Sequence, residues 1–193
     1  MFLTEEEILG TSAALKLTCD YFGQNAEMID AFFAANAQRK FTVMGCGSSY
    51  MLSKSAAAVL ASFPETAANA IPAGDYIADP AFWQDTVRGS IVLMLSRSGR
   101  TSEMVWAARK IKQSLGCPII SINAEADNDI TPMSDLELSI PWCHDNSVCQ
   151  TRTVTNLYAA ALLLAVKAVF RDKLSPRWQA AAWGVLGLVL LVP

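Results

Sequence analysis

With 193 residues, of which 52% are hydrophobic and 17% charged, the chain is long enough for one α/β domain with a substantial core. Its net charge of −3 excludes a strongly basic surface, so we expect no nucleic-acid partner. The five cysteines are odd in number, which favours reduced thiols in a cytoplasmic protein. The acidic start, MFLTEEEILG, lacks the features of a secretory signal.

The first predicted elements are helices. Apolar residues recur at helical spacing from Thr4 to Lys40. Thr4 followed by Glu7 fits a capping box, and Gly23 predicts a break between two helices. We therefore expect residues 1–40 to form N-terminal helices that pack on the domain that follows.

Strand-like and helix-like runs then alternate along the chain. The predicted strands are 40–45, 66–71, 89–96, 117–123 and 136–140. The predicted helices are 51–63, 101–115 and a long one that starts near 147 or 151 and ends at 170, with a loop or short helix over 74–86.

The strands with the strongest pattern are apolar on both faces, which is typical of a parallel sheet covered by helices on each side. Five such strands predict an α/β fold, a three-layer sandwich with a doubly wound, flavodoxin-like parallel sheet and an N-terminal helical segment. Ligands of such sheets bind at the carboxyl ends of the strands. Two corners lie there, GCGSSY at 45–50 and SRSGRTS at 96–102.

Both corners join a buried strand to a helix. The first backbone amides of a helix lack intrahelical partners and carry the positive end of the helix dipole, so each corner suits a phosphate. Hydroxyl donors to such a phosphate would come from Ser49, Ser96, Ser98 and Thr101. Gly47 and Gly99 would let the backbone approach closely, and Arg97 or Arg100 would supply charge. Ser and Thr are also ordinary helix caps, and that simpler interpretation stays open.

Nucleotide and metal sites fit the sequence less well. Tyr50 stands where the third glycine of a dinucleotide fingerprint belongs, and no Gly-Lys-Ser/Thr sequence occurs, so we expect no nucleotide cofactor. Cys143, His144 and Cys149 match no common zinc pattern, so we expect no metal.

The corner GCGSSY, followed about fifty residues later by LSRSGRTSEM, resembles the SIS (sugar isomerase) domain family, whose pattern is G-x-G-S/T-S and then S-x-S-G-x-T. The segment DNSVCQTRTVTNLYAAALLLA is similar to the start of the last helix in members with two tandem SIS domains, which include phosphosugar isomerases and deglycases related to the isomerase half of glucosamine-6-phosphate synthase. The resemblance covers roughly residues 41–170.

The resemblance implies a hexose or hexosamine phosphate as ligand and no cofactor. By position in the motifs, Ser49, Ser96, Ser98 and Thr101 would hold the phosphate, with Gly47, Ser48, Arg97 and Gly99 completing the site. It further implies a phosphosugar isomerase, or an aminosugar-phosphate isomerase or deglycase, that acts through an open-chain enediol or enamine intermediate. The alternative is a catalytically incomplete module that only binds the sugar phosphate.

Isomerisation needs a base that moves a proton between neighbouring carbons. The candidates are His144, Asp145 and Glu103. His144 could equally be an exposed loop histidine, and an acid in the first turn of a helix, such as Glu103, favours the helix dipole without any function. Tandem relatives place their main acid–base groups largely in a second domain, and the chain contains no second copy of the phosphate motif.

The expected domain spans residues 41–175, and 176–193 form an apolar tail that could link to a missing second SIS domain. Its apolar run, from Ala180 to the last residue, is shorter than the ~18 to 20 residues of a membrane span and contains two glycines, so we expect no membrane contact. An apolar tail of this kind would be buried against another surface. The resemblance adds that single-domain SIS enzymes form their active sites between subunits. Both features predict a homodimer.

Overall fold

A computed structural model describes residues 2–170 of the chain. Its strands are β1 (Lys40–Gly45), β2 (Ala67–Pro72), β3 (Ile91–Ser96), β4 (Ile119–Asn123) and β5 (Leu136–Ser139). Its helices are α1 (Leu3–Leu9), α2 (Thr11–Gln24), α3 (Ala26–Ala35), α4 (Ser48–Ala61), α5 (Ala73–Ala78), α6 (Pro80–Val87), α7 (Ser102–Leu115) and α8 (Arg152–Phe170), with short 3₁₀ turns at Thr131–Met133 and Pro141–Cys143.

The five strands form one parallel sheet in the order β2-β1-β3-β4-β5. The predicted doubly wound, flavodoxin-like α/β sandwich is therefore confirmed. The chain leaves β1 through α4 toward one edge of the sheet, and it leaves β3 through α7 toward the other. The connections diverge at the neighbouring carboxyl ends of β1 and β3, where such folds have a crevice.

Alternating side chains of the buried strands supply two separate cores. In β3, Leu93 and Leu95 pack on the face covered by α2, α3, α4 and α8. Val92 and Met94 pack on the opposite face, against α5, α6 and α7. The side chains on both faces of β3 are buried, which explains why its sequence is continuously apolar.

The edge strands explain the weaker sequence signals. In β2 most side chains are exposed or half-buried, and Pro72 ends the strand, as an edge position allows. In β5 buried and half-buried side chains alternate, as its sequence pattern predicts.

Two details of the N-terminal helices differ from expectation. α1 begins at Leu3, so Thr4 lies inside the helix and the predicted capping box is wrong. α2 continues through Gly23, and the breaks fall at Gly10 and Asn25. A glycine inside a helix costs only ~0.5–1 kcal/mol relative to alanine, and the packing of α2 on α8 outweighs that cost.

The helix α8 carries the longest apolar run among residues 2–170. It is the one described helix long and apolar enough to cross a membrane, with a mean hydropathy of 1.6, yet 61% of that window is buried within the fold. This burial is typical of a core helix. The predicted tail over 176–193, and the end of the predicted domain at 171–175, lie outside the described residues, so these boundaries stay predictions.

Gly45 sets how closely α4 approaches β1. A Cβ atom at Gly45 would lie 2.6 Å from the carbonyl carbon of Ser49 and 2.7 Å from its oxygen. We expect Gly45→Ala to lower the free energy of unfolding by ~1–3 kcal/mol, because backbone atoms of α4 must move. Chemical denaturation measures this change.

The matched control is Gly23→Ala in α2, where a Cβ would meet nothing within 4 Å. It should raise the free energy of unfolding by ~0.5–1 kcal/mol, since alanine favours the helix. Equal effects of the two substitutions would show that the close approach at Gly45 is not a constraint.

Candidate functional site

A cavity of about 380 Å³ lies at the carboxyl ends of β1 and β3, between the first turns of α4 and α7. Its lining consists of Cys46, Gly47, Ser48, Ser49, Leu95, Ser96, Arg97, Ser98, Thr101, Met104 and Gln150. The two corners that the sequence singled out thus form one site.

The turn from Ser96 to Thr101 is held by its own hydroxyl groups. The Gly99 amide donates to Ser96 Oγ over 3.0 Å, and the Arg100 amide donates to Ser98 Oγ over 3.2 Å. Both hydroxyls accept these bonds, so each keeps its own hydrogen to donate into the cavity. Thr101 occupies the N-cap position of α7, and its side chain makes no capping bond.

Gly99 is required at its position for two reasons. Its φ of +62° lies in the left-handed region, where side chains are strained. A Cβ there would also lie 2.3 Å from the side chain of Asn128, which is 4% exposed. Gly99 does not line the cavity itself; it gives the turn the shape that presents Ser96, Ser98 and Thr101.

The first corner has the same construction. Gly47, with φ +54°, precedes α4, and Ser48 and Ser49 form its first turn. At the start of α4, the amides of Ser49 and Tyr50 donate to the carbonyls of Cys46 and Gly47, each over 3.1 Å. At the start of α7, the Val105 amide donates to the Thr101 carbonyl over 3.0 Å. Two helix N-termini therefore meet at one cavity, and their partial positive charges favour an anion.

The structure separates the two arginines that the sequence left as alternatives. Arg97 lines the cavity. Arg100 is instead engaged with the Glu125 carboxylate and donates to the Asp127 carbonyl oxygen over 2.9 Å. Arg97 is thus the side chain with a full positive charge in the cavity wall, within the part of the chain that the structure describes.

Cys46 and Glu103 lie near each other at this site. Burial raises the pKa of the Cys46 thiol, and the negative charge of Glu103 raises it further. Cys46 is consequently a protonated thiol at neutral pH and not a nucleophile. Glu103 lies exposed in the first turn of α7 and is not among the cavity-lining residues.

His144 and Asp145 do not reach the cavity wall. The His144 side chain is about one-third exposed, and its Nδ1 lies 3.5 Å from Glu125 Oε1. Asp145 is 1% exposed; its Oδ2 accepts from the Thr153 amide over 2.9 Å at the start of α8. The catalytic roles expected of these residues, and of Glu103, stay predictions.

Gln150 is the cavity residue that lies outside the motifs GCGSSY and LSRSGRTSEM, and the sequence assigned it no role. It lies in the loop before α8, and the fold brings this loop to the cavity. A lone glutamine in a loop has no distinguishing pattern, so only the fold could identify it. Among the described residues, no three His, Cys, Asp or Glu side chains are grouped to hold a metal ion.

The Glu7 side chain contacts the loop that carries Gln150. The Ser147 hydroxyl and the amides of Ser147 and Asn146 donate to its carboxylate. The hydroxyl bond from Ser147 is the main cause that lowers the pKa of Glu7, with the two amides and the charge of Arg152 adding to it against the opposing effect of burial. The carboxylate is therefore ionised at neutral pH.

Comparisons with known proteins agree with this construction. The family model described as SIS domain matches residues 35–167. No curated protein sequence matches the chain. The first solved structures that it matches are about twice its length, since the chain covers 56% and 52% of them.

Three solved structures illustrate the likeness. Tagatose-6-phosphate ketose/aldose isomerase from Escherichia coli has a TM-score of 0.76 at 21% identity, with 97% of this chain and 55% of that chain covered. Glucosamine-6-phosphate deaminase from Thermotoga maritima has a TM-score of 0.73 at 22% identity, with 98% and 52% covered. The C-terminal domain of glucosamine-fructose-6-phosphate aminotransferase from Francisella tularensis has a TM-score of 0.76 at 17% identity, with 98% and 53% covered.

At these identities the solved structures show a shared fold. The family model extends over most of the chain and includes both corners, from Gly45 to Thr101 and on into α8. The chain therefore belongs to the SIS domain family.

Proposed function

We propose that the cavity binds the phosphate group of a hexose or hexosamine phosphate. The observation that carries the proposal is the meeting of two helix N-termini, with the hydroxyls of Ser49, Ser96, Ser98 and Thr101, around one cavity beside Arg97. Amides and hydroxyls donate to phosphate oxygens, and the planar guanidinium of arginine can donate to two of them at once. The solved relatives named for sugar phosphates support this ligand class.

We expect Thr101→Ala and Arg97→Gln each to weaken binding of glucosamine 6-phosphate by about tenfold to a hundredfold, because each loses a hydrogen bond to a charged group. Isothermal titration calorimetry gives the dissociation constants. Thermal shift offers a parallel measure, since a bound ligand stabilises the folded state.

Two controls match these substitutions. Ser55→Ala removes an exposed hydroxyl of α4 that bonds only the Met51 carbonyl. Arg100→Gln removes an arginine of the same turn whose guanidinium faces Glu125. Both should bind nearly as the wild type does, and equal losses in controls and test variants would contradict the proposed site.

For the reaction, we propose aldose–ketose or aminosugar isomerisation through an open-chain enediol or enamine. Relatives named as isomerase and deaminase support this reaction class. Such chemistry needs a base at the sugar carbons. Interconversion of fructose 6-phosphate with its aldose, or deamination of glucosamine 6-phosphate, is expected from the pure protein, and a coupled assay or proton exchange at C2 detects it.

A second candidate function is binding without turnover. Among the described residues, the cavity wall contains no carboxylate and no imidazole, and its thiol is protonated. This composition suits a binding module, or a site whose acid and base come from outside residues 2–170 of one chain. Sugar-phosphate binding with neither isomerisation nor proton exchange would favour this alternative.

The proposal includes a cytoplasmic homodimer. Three apolar side chains near α1, Phe2, Leu3 and Leu9, are 85%, 58% and 67% exposed, and neighbouring large apolar groups in water favour association. Light scattering after gel filtration should give about twice the 20.9 kDa of one chain. A monomer at micromolar concentration would contradict the dimer and leave the phosphate site as proposed.

A further inference from the structure

The loop over residues 144–151, called here the α8 loop, contributes Gln150 to the cavity wall. It has no regular secondary structure, and it brings Gln150 to the cavity that the two corners line. Gln150 Oε1 is buried, and among the described residues it has no hydrogen-bond partner. This oxygen is therefore available to a ligand in the cavity. The position of the Gln150 side chain depends on the contacts that hold the α8 loop.

One end of the α8 loop is fixed to the helix that follows. Asp145 Oδ2 accepts from the Thr153 amide over 2.9 Å, and the Asp145 amide donates to Thr153 Oγ1 over 3.1 Å. The Thr153 hydroxyl donates onward to the Cys143 carbonyl over 2.7 Å. Arg152 Nε lies 3.6 Å from Asp145 Oδ1. These contacts secure the loop up to Asp145.

The middle of the α8 loop is held by a single side chain from the other end of the chain. Glu7 Oε1 accepts from the Asn146 amide over 2.7 Å and from the Ser147 amide over 3.0 Å. Glu7 Oε2 accepts from the Ser147 hydroxyl. Three donors on one carboxylate fix both position and direction of the loop immediately before it turns toward Gln150.

This contact is also how α1 is held. Glu7 is the one residue of α1 that is buried, at 3% exposed. The apolar residues Leu3, Ile8 and Leu9 of the same helix are exposed. At the end of α1, Gly10 leaves room for Arg152, whose Nη1 would lie 3.2 Å from a Cβ there. The α1 helix and the α8 loop are therefore held to each other by the same carboxylate.

We propose that Glu7 is a positioning residue for the ligand: its carboxylate holds Asn146 and Ser147 so that Gln150 closes the cavity over the bound sugar phosphate. This role rests on the proposed function, because it assigns Glu7 an effect on affinity for the same ligand. Glu7 acts through the α8 loop and does not touch the ligand.

The test compares Glu7→Gln with Glu6→Gln. Both remove one negative charge from α1, but Glu6 is exposed. In Glu7→Gln, one oxygen becomes an NH₂ group that cannot accept from the Ser147 hydroxyl. The dissociation constant for glucosamine 6-phosphate should rise about tenfold in Glu7→Gln, for the loss of hydrogen bonds to a charged acceptor, and should stay near the wild-type value in Glu6→Gln.

Two further measurements separate positioning from general stability. In a Gln150→Ala background, Glu7→Gln should add no further loss of affinity, since the residue it positions is gone. Amide hydrogen exchange at Asn146 and Ser147 should become faster in Glu7→Gln than in the wild type or in Glu6→Gln.

Three results would overturn the proposal. A lower melting temperature of Glu7→Gln with unchanged affinity would assign Glu7 a structural role only. Full additivity with Gln150→Ala would show that Glu7 acts elsewhere. Unchanged exchange at Asn146 and Ser147 would refute the loop contact, even if the wild-type protein bound no sugar phosphate and the proposed function failed by itself.

Discussion

The site exists because the chain diverges at β1 and β3. These neighbouring parallel strands send α4 and α7 to opposite faces of the sheet. Because each helix begins at the carboxyl end of its strand, the two N-termini meet above the same edge. The positive ends of both helix dipoles then act on one volume, which a single βα corner would not achieve.

Close packing at two glycines sets the shape of the corners that border that volume. At Gly45, the strand touches the first turn of α4 with no room for a side chain. At Gly99, the turn takes a left-handed conformation against the buried Asn128. Both glycines lie outside the cavity lining. They determine where the amides and hydroxyls of the two corners point, although they do not line the cavity themselves.

The charges around the cavity also favour an anion. Arg97 lines the cavity, Arg100 is neutralised by Glu125 outside it, and the raised pKa of the Cys46 thiol keeps that group uncharged. Within the described residues the cavity wall therefore carries positive charge without a balancing carboxylate. Such a wall binds an anion well and has no base of its own, which is why ligand binding and catalysis are separate questions for this chain.

Local periodicity and turn residues were enough to predict the sheet, its five strands and the two corners. The sequence by itself failed at Thr4, because its expected capping partner Glu7 instead accepts from the amides of Asn146 and Ser147. It also failed at Gly23, where the packing of α2 on α8 outweighs local preference. Only the tertiary structure distinguished Arg97 from Arg100, placed Asp145 as a cap of α8, and brought Gln150 to the cavity. The contact of Glu7 with Ser147 joins residues 140 positions apart, and no local pattern encodes which distant groups will share one buried carboxylate.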